Sequence, residues 1–191
     1  MMATILLARF GIGSVLTVDE KPRPVKSGQA DGLQPRTLEV LQSLDLANEI
    51  LTQGCQMCEI AFWNPKNNGK GPGIERMSIM NGINVPSRYP HGVTIHQGRI
   101  EKIFNDDLES RGKSVDKGWK VTDWRFDYTN ADYPILVNME STLSDFLGAQ
   151  RQVRAKFLIG ADGARSTVRC GMGESLVGDH TDHVWYVPQS G

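Results

Sequence analysis

Residues 156–169 read KFLIGADGARSTVR, and the fold turns on how this stretch is understood. Phe157, Leu158 and Ile159 form an apolar run closed by Gly160, and Asp162 then stands directly before Gly163. A short apolar run that stops at a glycine and an acid is how a buried strand meets a polar edge. In open α/β sheets the carboxyl ends of the strands face the ligand crevice, where a carboxylate can accept ribose hydroxyls or hold a pyrophosphate through water. Gly163 permits positive φ and close backbone approach. Residues 164–169 are predicted as a short helix whose first N–H groups favour anions. The competing reading is a hairpin, because Asp-Gly is a favoured two-residue turn. Against it, the following RSTVRCGMGE lacks strand alternation.

The 191 residues suffice for one domain with a real core. Lys and Arg number 21 against 22 Asp and Glu, so there is no basic footprint for nucleic acid or an anionic membrane. The longest apolar run near the start, residues 5–8, is far too short to span a bilayer, and no positive n-region of a signal peptide precedes it. A soluble, cytoplasmic protein is expected. Three cysteines are an odd count and argue against a disulfide framework. Cys55 and Cys58 form a C-x-x-C without the second pair that a zinc site needs or the βαβ context of a thioredoxin motif. His180 and His183 likewise make an incomplete ligand set.

In chain order, residues 2–10 are predicted as a helix stopped by Gly11, followed by a short strand at 15–18 that ends in Asp19-Glu20. A strand ending in an acid after a helix and a glycine has the pattern of the second strand of a dinucleotide-binding βαβ unit, where the acid meets the adenosine ribose. The spacing fits an ordinary solvated acid equally well. Such a unit should open with a strand and G-x-G-x-x-G, whereas this chain starts inside the helix, and Gly11-Ile12-Gly13 reads as a connecting turn. Residues 35–51 are predicted as one helix, with Pro35 in its first turn and Leu38, Leu41, Leu44, Ala47 and Ile50 on its apolar stripe. A strand at 55–63, a hairpin at 64–73, a loop at 82–90 and a strand at 93–96 follow. Gln97 opens a further helix, and 117–128, 135–141 and 151–159 read as an antiparallel set. Trp119, Trp124, Phe126 and Tyr128 read as sheet-face packing, since no basic stripe accompanies them.

The string GADGARSTVR (160–169) resembles the Asp-Gly fingerprint of the FAD-dependent aromatic hydroxylases, single-component flavoprotein monooxygenases that use NADPH and oxygen. GQADGLQPRTLE (28–39), Ser87-Arg88-Tyr89 and HQGRIE (96–101) are similar to the phenol 2-monooxygenase branch of that family, and the motifs stand in the family's order over most of the chain. The resemblance implies an α/β fold: an incomplete, Rossmann-like FAD/NAD(P)-binding domain with part of an antiparallel substrate-domain sheet. It divides the chain into a partial FAD-binding βαβ at 1–58, inserted substrate-domain strands at 59–95, the FAD-binding continuation at 96–172 and the start of a truncated substrate domain at 173–191.

The same resemblance implies FAD contacts at Asp19, Glu20, Gly28, Gln29, Ala30, Gly32, Leu33, Gln97, Asp162 and Gly163, and a catalytic role for Asp31. The expected function is NADPH- and oxygen-dependent hydroxylation of a small phenolic or other aromatic substrate. A free phenol titrates near about 10, so a carboxylate that takes its proton makes the ring a better nucleophile. Because the first strand and the glycine loop expected of the family are not in this sequence, weakened FAD binding and need for a complementing chain or a homo-oligomer are expected. A non-catalytic remnant that binds a partner is the alternative.

Overall fold

The computed structural model describes residues 1–26, 31–83, 85–179 and 181–182. In chain order the elements are α1 (Met2–Arg9), β1 (Val18–Asp19), β2 (Gly32–Leu33), α2 (Pro35–Ser43), α3 (Ala47–Gln53), β3 (Cys55–Met57), β4 (Glu59–Pro65), β5 (Ile74–Asn81), β6 (Gly92–Thr94), α4 (Gln97–Ser110), β7 (Asp116–Lys117), β8 (Trp119–Phe126), β9 (Ile135–Ser141), β10 (Gln150–Ala155) and α5 (Thr167–Gly171). They fall into two compact units, one formed by residues 1–24 with 111 onward and the other by 25–110.

The first unit is built on the antiparallel sheet β10-β9-β8 and the parallel pair β1-β7. Ile135, Val137 and Met139 alternate along the inner face of β9 and are covered by Val18, Trp119, Val121, Trp124, Val153 and Leu158. Burying each such side chain fully contributes about 1.5–3 kcal/mol. α1 ends as the sequence predicts. The N–H of Gly11 reaches Ala8 O and that of Ile12 reaches Leu7 O, with Gly11 at φ 77°. That is the left-handed turn in which glycine closes a helix at least cost.

Two expectations in this unit are corrected. The strand expected to run to Ile159 ends at Ala155, and Phe157 and Ile159 stand 79% and 63% exposed rather than in a buried strand. β10 pairs with β9 only as far as Ala155 against Ile135, where β9 begins. Without a ladder partner, an apolar run has no backbone reason to remain a strand. The helix expected at 164–169 forms instead at Thr167–Gly171, because Ser166 supplies the cap.

The second unit carries the antiparallel sheet β2-β6-β3, the hairpin β4-β5, and helices α2, α3 and α4, with α3 packed on both of its helical neighbours. Leu38, Leu41, Ala47 and Ile50 are buried, as the leucine stripe requires. The single helix expected over 35–51 is two. Asp45 takes φ 55°, its N–H reaches Gln42 O, and the N–H of Leu46 reaches Leu41 O at 2.9 Å. This is a Schellman-type stop made with aspartate, one of the few residues besides glycine that tolerates the left-handed region. The apolar repeat continues across the break, so the break does not show in the pattern.

Candidate functional site

Asp19 ends β1, and its neighbour across the parallel ladder is Lys117. Asp19 Oδ2 accepts from Lys117 Nζ at 2.8 Å and Oδ1 from the backbone N–H of Lys21 at 3.0 Å. Partial burial works to raise this carboxyl. The Lys117 and Lys21 hydrogen bonds and the two lysine charges outweigh it and hold the group below the usual carboxylate range. Glu20 is exposed, and its carbonyl accepts from Thr142 Oγ1 at 2.6 Å.

Asp162 and Gly163 shape the turn before α5. Asp162 Oδ1 accepts from Ser166 Oγ at 2.5 Å, Oδ2 accepts from Val168 N–H at 3.2 Å, and Ser166 Oγ in turn accepts from Arg169 N–H. Burial again pushes the Asp162 carboxyl up, and the bonds from Ser166, Val168 and neighbouring N–H groups bring it below its ordinary value. The Arg169 guanidinium donates to the carbonyls of Gly163 and Ala164. Gly163 has φ 78° with open space around its Cβ position.

In the second unit, the carbonyl of Asp31 accepts from Ile95 N–H at 2.8 Å, and Gly32 and Leu33 then pair with Thr94 and Val93. This register carries Asp31 to the end of the sheet from which α4 departs, two residues beyond Ile95. Gln97 is the first residue of α4, and its Nε2 donates to Glu101 Oε1 at 3.3 Å. Gly28, Gln29 and Ala30 lie outside the described residues. An added Cβ at Gly98 would lie 2.3 Å from the carbonyl oxygen of Val25, so a glycine is required where the chain at Val25 meets the start of α4.

Strand pairing thus brings Asp31 and Gln97 together in one unit, whereas Asp19 and Asp162 belong to the other. Lys117, the partner of Asp19, gave no sequence signal, since a lysine in a short strand carries no mark of its partner. Ser166 had one: a serine just before a helical segment, three residues ahead of the N–H it accepts from. A groove of about 570 Å³ in the first unit is lined by Trp124, Phe126, Leu158, Val168 and Met172 among others, and none of the expected cofactor residues lines it. No cluster of metal-ligating side chains occurs among the described residues, and His180 and His183 lie outside them. Among the described residues no helix is long and apolar enough to cross a membrane.

Residues 1–188 match the FAD-binding domain family. The chain belongs to that family. Relatives include a flavin-dependent oxygenase of Aspergillus ustus, 37% identical over 190 residues, 96% of this chain and 28% of that protein. A 3-hydroxybenzoate 4-monooxygenase of Comamonas testosteroni is 30% identical over 183 residues, 95% and 28% of the two chains. A phenol 2-monooxygenase of Aspergillus fumigatus is 31% identical over 180 residues, 91% and 28%. The resemblance to the FAD-dependent aromatic monooxygenases read from the motifs therefore stands. The chain spans about 28% of the length of these relatives. A flavin-dependent monooxygenase solved with FAD and substrate superposes with a TM-score of 0.74 at 21% identity, covering 93% of this chain and 30% of that one, which supports the α/β fold.

Two observations fit a flavin dinucleotide to this member of the family. Asp19 has used two acceptor positions, and a carboxylate offers about four, so ribose hydroxyls can still be accommodated. His96 Nε2, beside Gln97, is buried and meets no hydrogen-bond partner among the described residues.

Proposed function

We propose that this chain holds FAD for the hydroxylation of a phenolic substrate with NADPH as reductant. Asp19 and Glu20 would meet the adenosine ribose, residues 28–33 and Gln97 the flavin, and the turn at Asp162-Gly163 the phosphates through its N–H groups. In this reading residues 1–58 and 96–172 serve the cofactor, and 59–95 with 173–191 belong to the substrate domain. The observation that carries it is the Ile95 N–H to Asp31 carbonyl bond, which puts Asp31 at the same end of a sheet as Gln97.

When bound, FAD supplies the oxygen chemistry. The protein's part is orientation and one proton: Asp31 accepts the phenolic proton, directly or through water, and leaves an electron-rich ring. Gln97, as an amide with donors and an acceptor, can hold a polar edge of the cofactor without carrying charge.

The test is direct. The chain is purified, mixed with FAD and freed of excess cofactor by gel filtration. A retained flavin absorption band, with phenol-stimulated NADPH oxidation that collapses in Asp31→Ala, is expected. A colourless preparation would overturn the proposal. A colourless preparation that self-associates would favour the non-catalytic interaction protein, a reading supported by exposed Phe157 and Ile159.

A further inference from the structure

His96 lies at the junction between β6 and α4, one residue before Gln97. Its carbonyl accepts from Arg99 N–H at 2.8 Å and from Ile100 N–H at 3.3 Å, which makes it the residue that caps the helix. Its ring joins in: Nδ1 accepts from the Gly98 N–H at 3.0 Å. A backbone N–H can only donate, so in this arrangement Nδ1 is the bare nitrogen and the proton of the neutral ring sits on Nε2. Nε2 is shut off from solvent and meets no acceptor among the described residues.

A buried N–H without an acceptor is unfavourable and calls for an explanation. Capping does not supply one, because a Ser or Thr hydroxyl caps a helix as the side chain's single polar group and brings no second nitrogen to bury. Nor is the ring there to fill open space. The junction is tight, with the Cβ position of Gly98 within 3.1 Å of His96 Nδ1 and 2.3 Å of the Val25 carbonyl.

We propose that His96 is a two-ended residue: Nδ1 holds the start of α4, and the Nε2 N–H donates to an acceptor atom of the bound flavin. This rests on the flavin reading given above. It adds a donor next to Gln97 that makes direct contact with the cofactor.

The experiment uses the full chain and FAD itself. His96→Asn keeps an acceptor for the Gly98 N–H and removes the far donor, whereas His96→Gln restores a donor near the Nε2 position and loses the cap. The expected result for His96→Asn is an unchanged thermal midpoint with FAD affinity weakened about five- to tenfold, the loss of one net hydrogen bond. His96→Gln should bind FAD more tightly than His96→Asn despite a less stable helix start. Affinity in His96→Asn equal to that of wild type, or weaker binding by His96→Gln than by His96→Asn, would overturn the assignment and leave the flavin reading standing. A wild-type chain that retains no FAD would remove both.

Discussion

Asp19 and Lys117 stand 98 positions apart in the chain and 2.8 Å apart in space, as partners across the parallel pair β1-β7. Two separate segments of the first unit are joined there by a ladder of two residues and one ion pair. A group held below its ordinary value contributes stability above the unfolded carboxylate's titration, near about 3.9, and loses it as pH falls through the folded value. Urea unfolding of wild type and Asp19→Asn at pH 7 and pH 3 should therefore show a stability gap at pH 7 that narrows at pH 3. A gap that is constant with pH would mean the carboxylate charge plays no part.

The turn at Asp162 is held by the Ser166 hydroxyl, which donates to the Asp162 carboxylate and accepts from the Arg169 N–H. Ser166→Ala removes both bonds and should cost about 1 kcal/mol, in the range of a lost helix cap. Faster hydrogen exchange at the Arg169 amide, measured by NMR, would locate the effect.

Gly98 and Gly13 should respond oppositely to alanine. At Gly98 the new methyl would meet the Val25 carbonyl at 2.3 Å, so backbone must shift, at about 1–3 kcal/mol. At Gly13 nothing lies within 4 Å, and alanine should be neutral or stabilise by about 0.4–1 kcal/mol through the unfolded chain. Thermal melts of the two variants check both signs.

Phe157 and Met139 test where the core of the first unit ends. Met139 is 3% exposed, and Met139→Ala should cost about 2–5 kcal/mol. Phe157 is 79% exposed, so Phe157→Ser should shift stability by less than about 0.5 kcal/mol. A large loss at Phe157 would show that this ring is covered in solution.

Cys55 opens β3, and Cys58 is the single residue between β3 and β4, three positions on. Three residues of strand span about 10 Å, beyond the roughly 7 Å that a disulfide can bridge. Both are exposed free thiols, so mild oxidation should leave the pair reactive toward a thiol reagent. An internal disulfide detected by mass spectrometry would contradict the extended geometry.

Much of the local structure was legible because its causes are local. Gly11 stops α1, Pro35 opens α2, the leucine stripe faces inward, Gln97 starts α4, and β9 shows its alternation in Ile135, Val137 and Met139. The break at Asp45 was not legible. An apolar repeat reports which face is buried, whereas a stop made with a non-glycine residue depends on two backbone hydrogen bonds that leave no trace in composition. Phe157–Ile159 failed for another reason: the letters of a buried strand name a preference, and a strand exists only where a ladder partner is present.

The sequence by itself determined the family and the order of its motifs, since these are strings of neighbouring residues. Tertiary structure alone decided that Lys117 answers Asp19, that Asp31 is tied beside Ile95 at the start of α4, and that the His96 ring spends one nitrogen on the helix and leaves the other unmet among the described residues. Those relations depend on strand register and on the removal of atoms from water, and neither is a property of any residue's sequence neighbours.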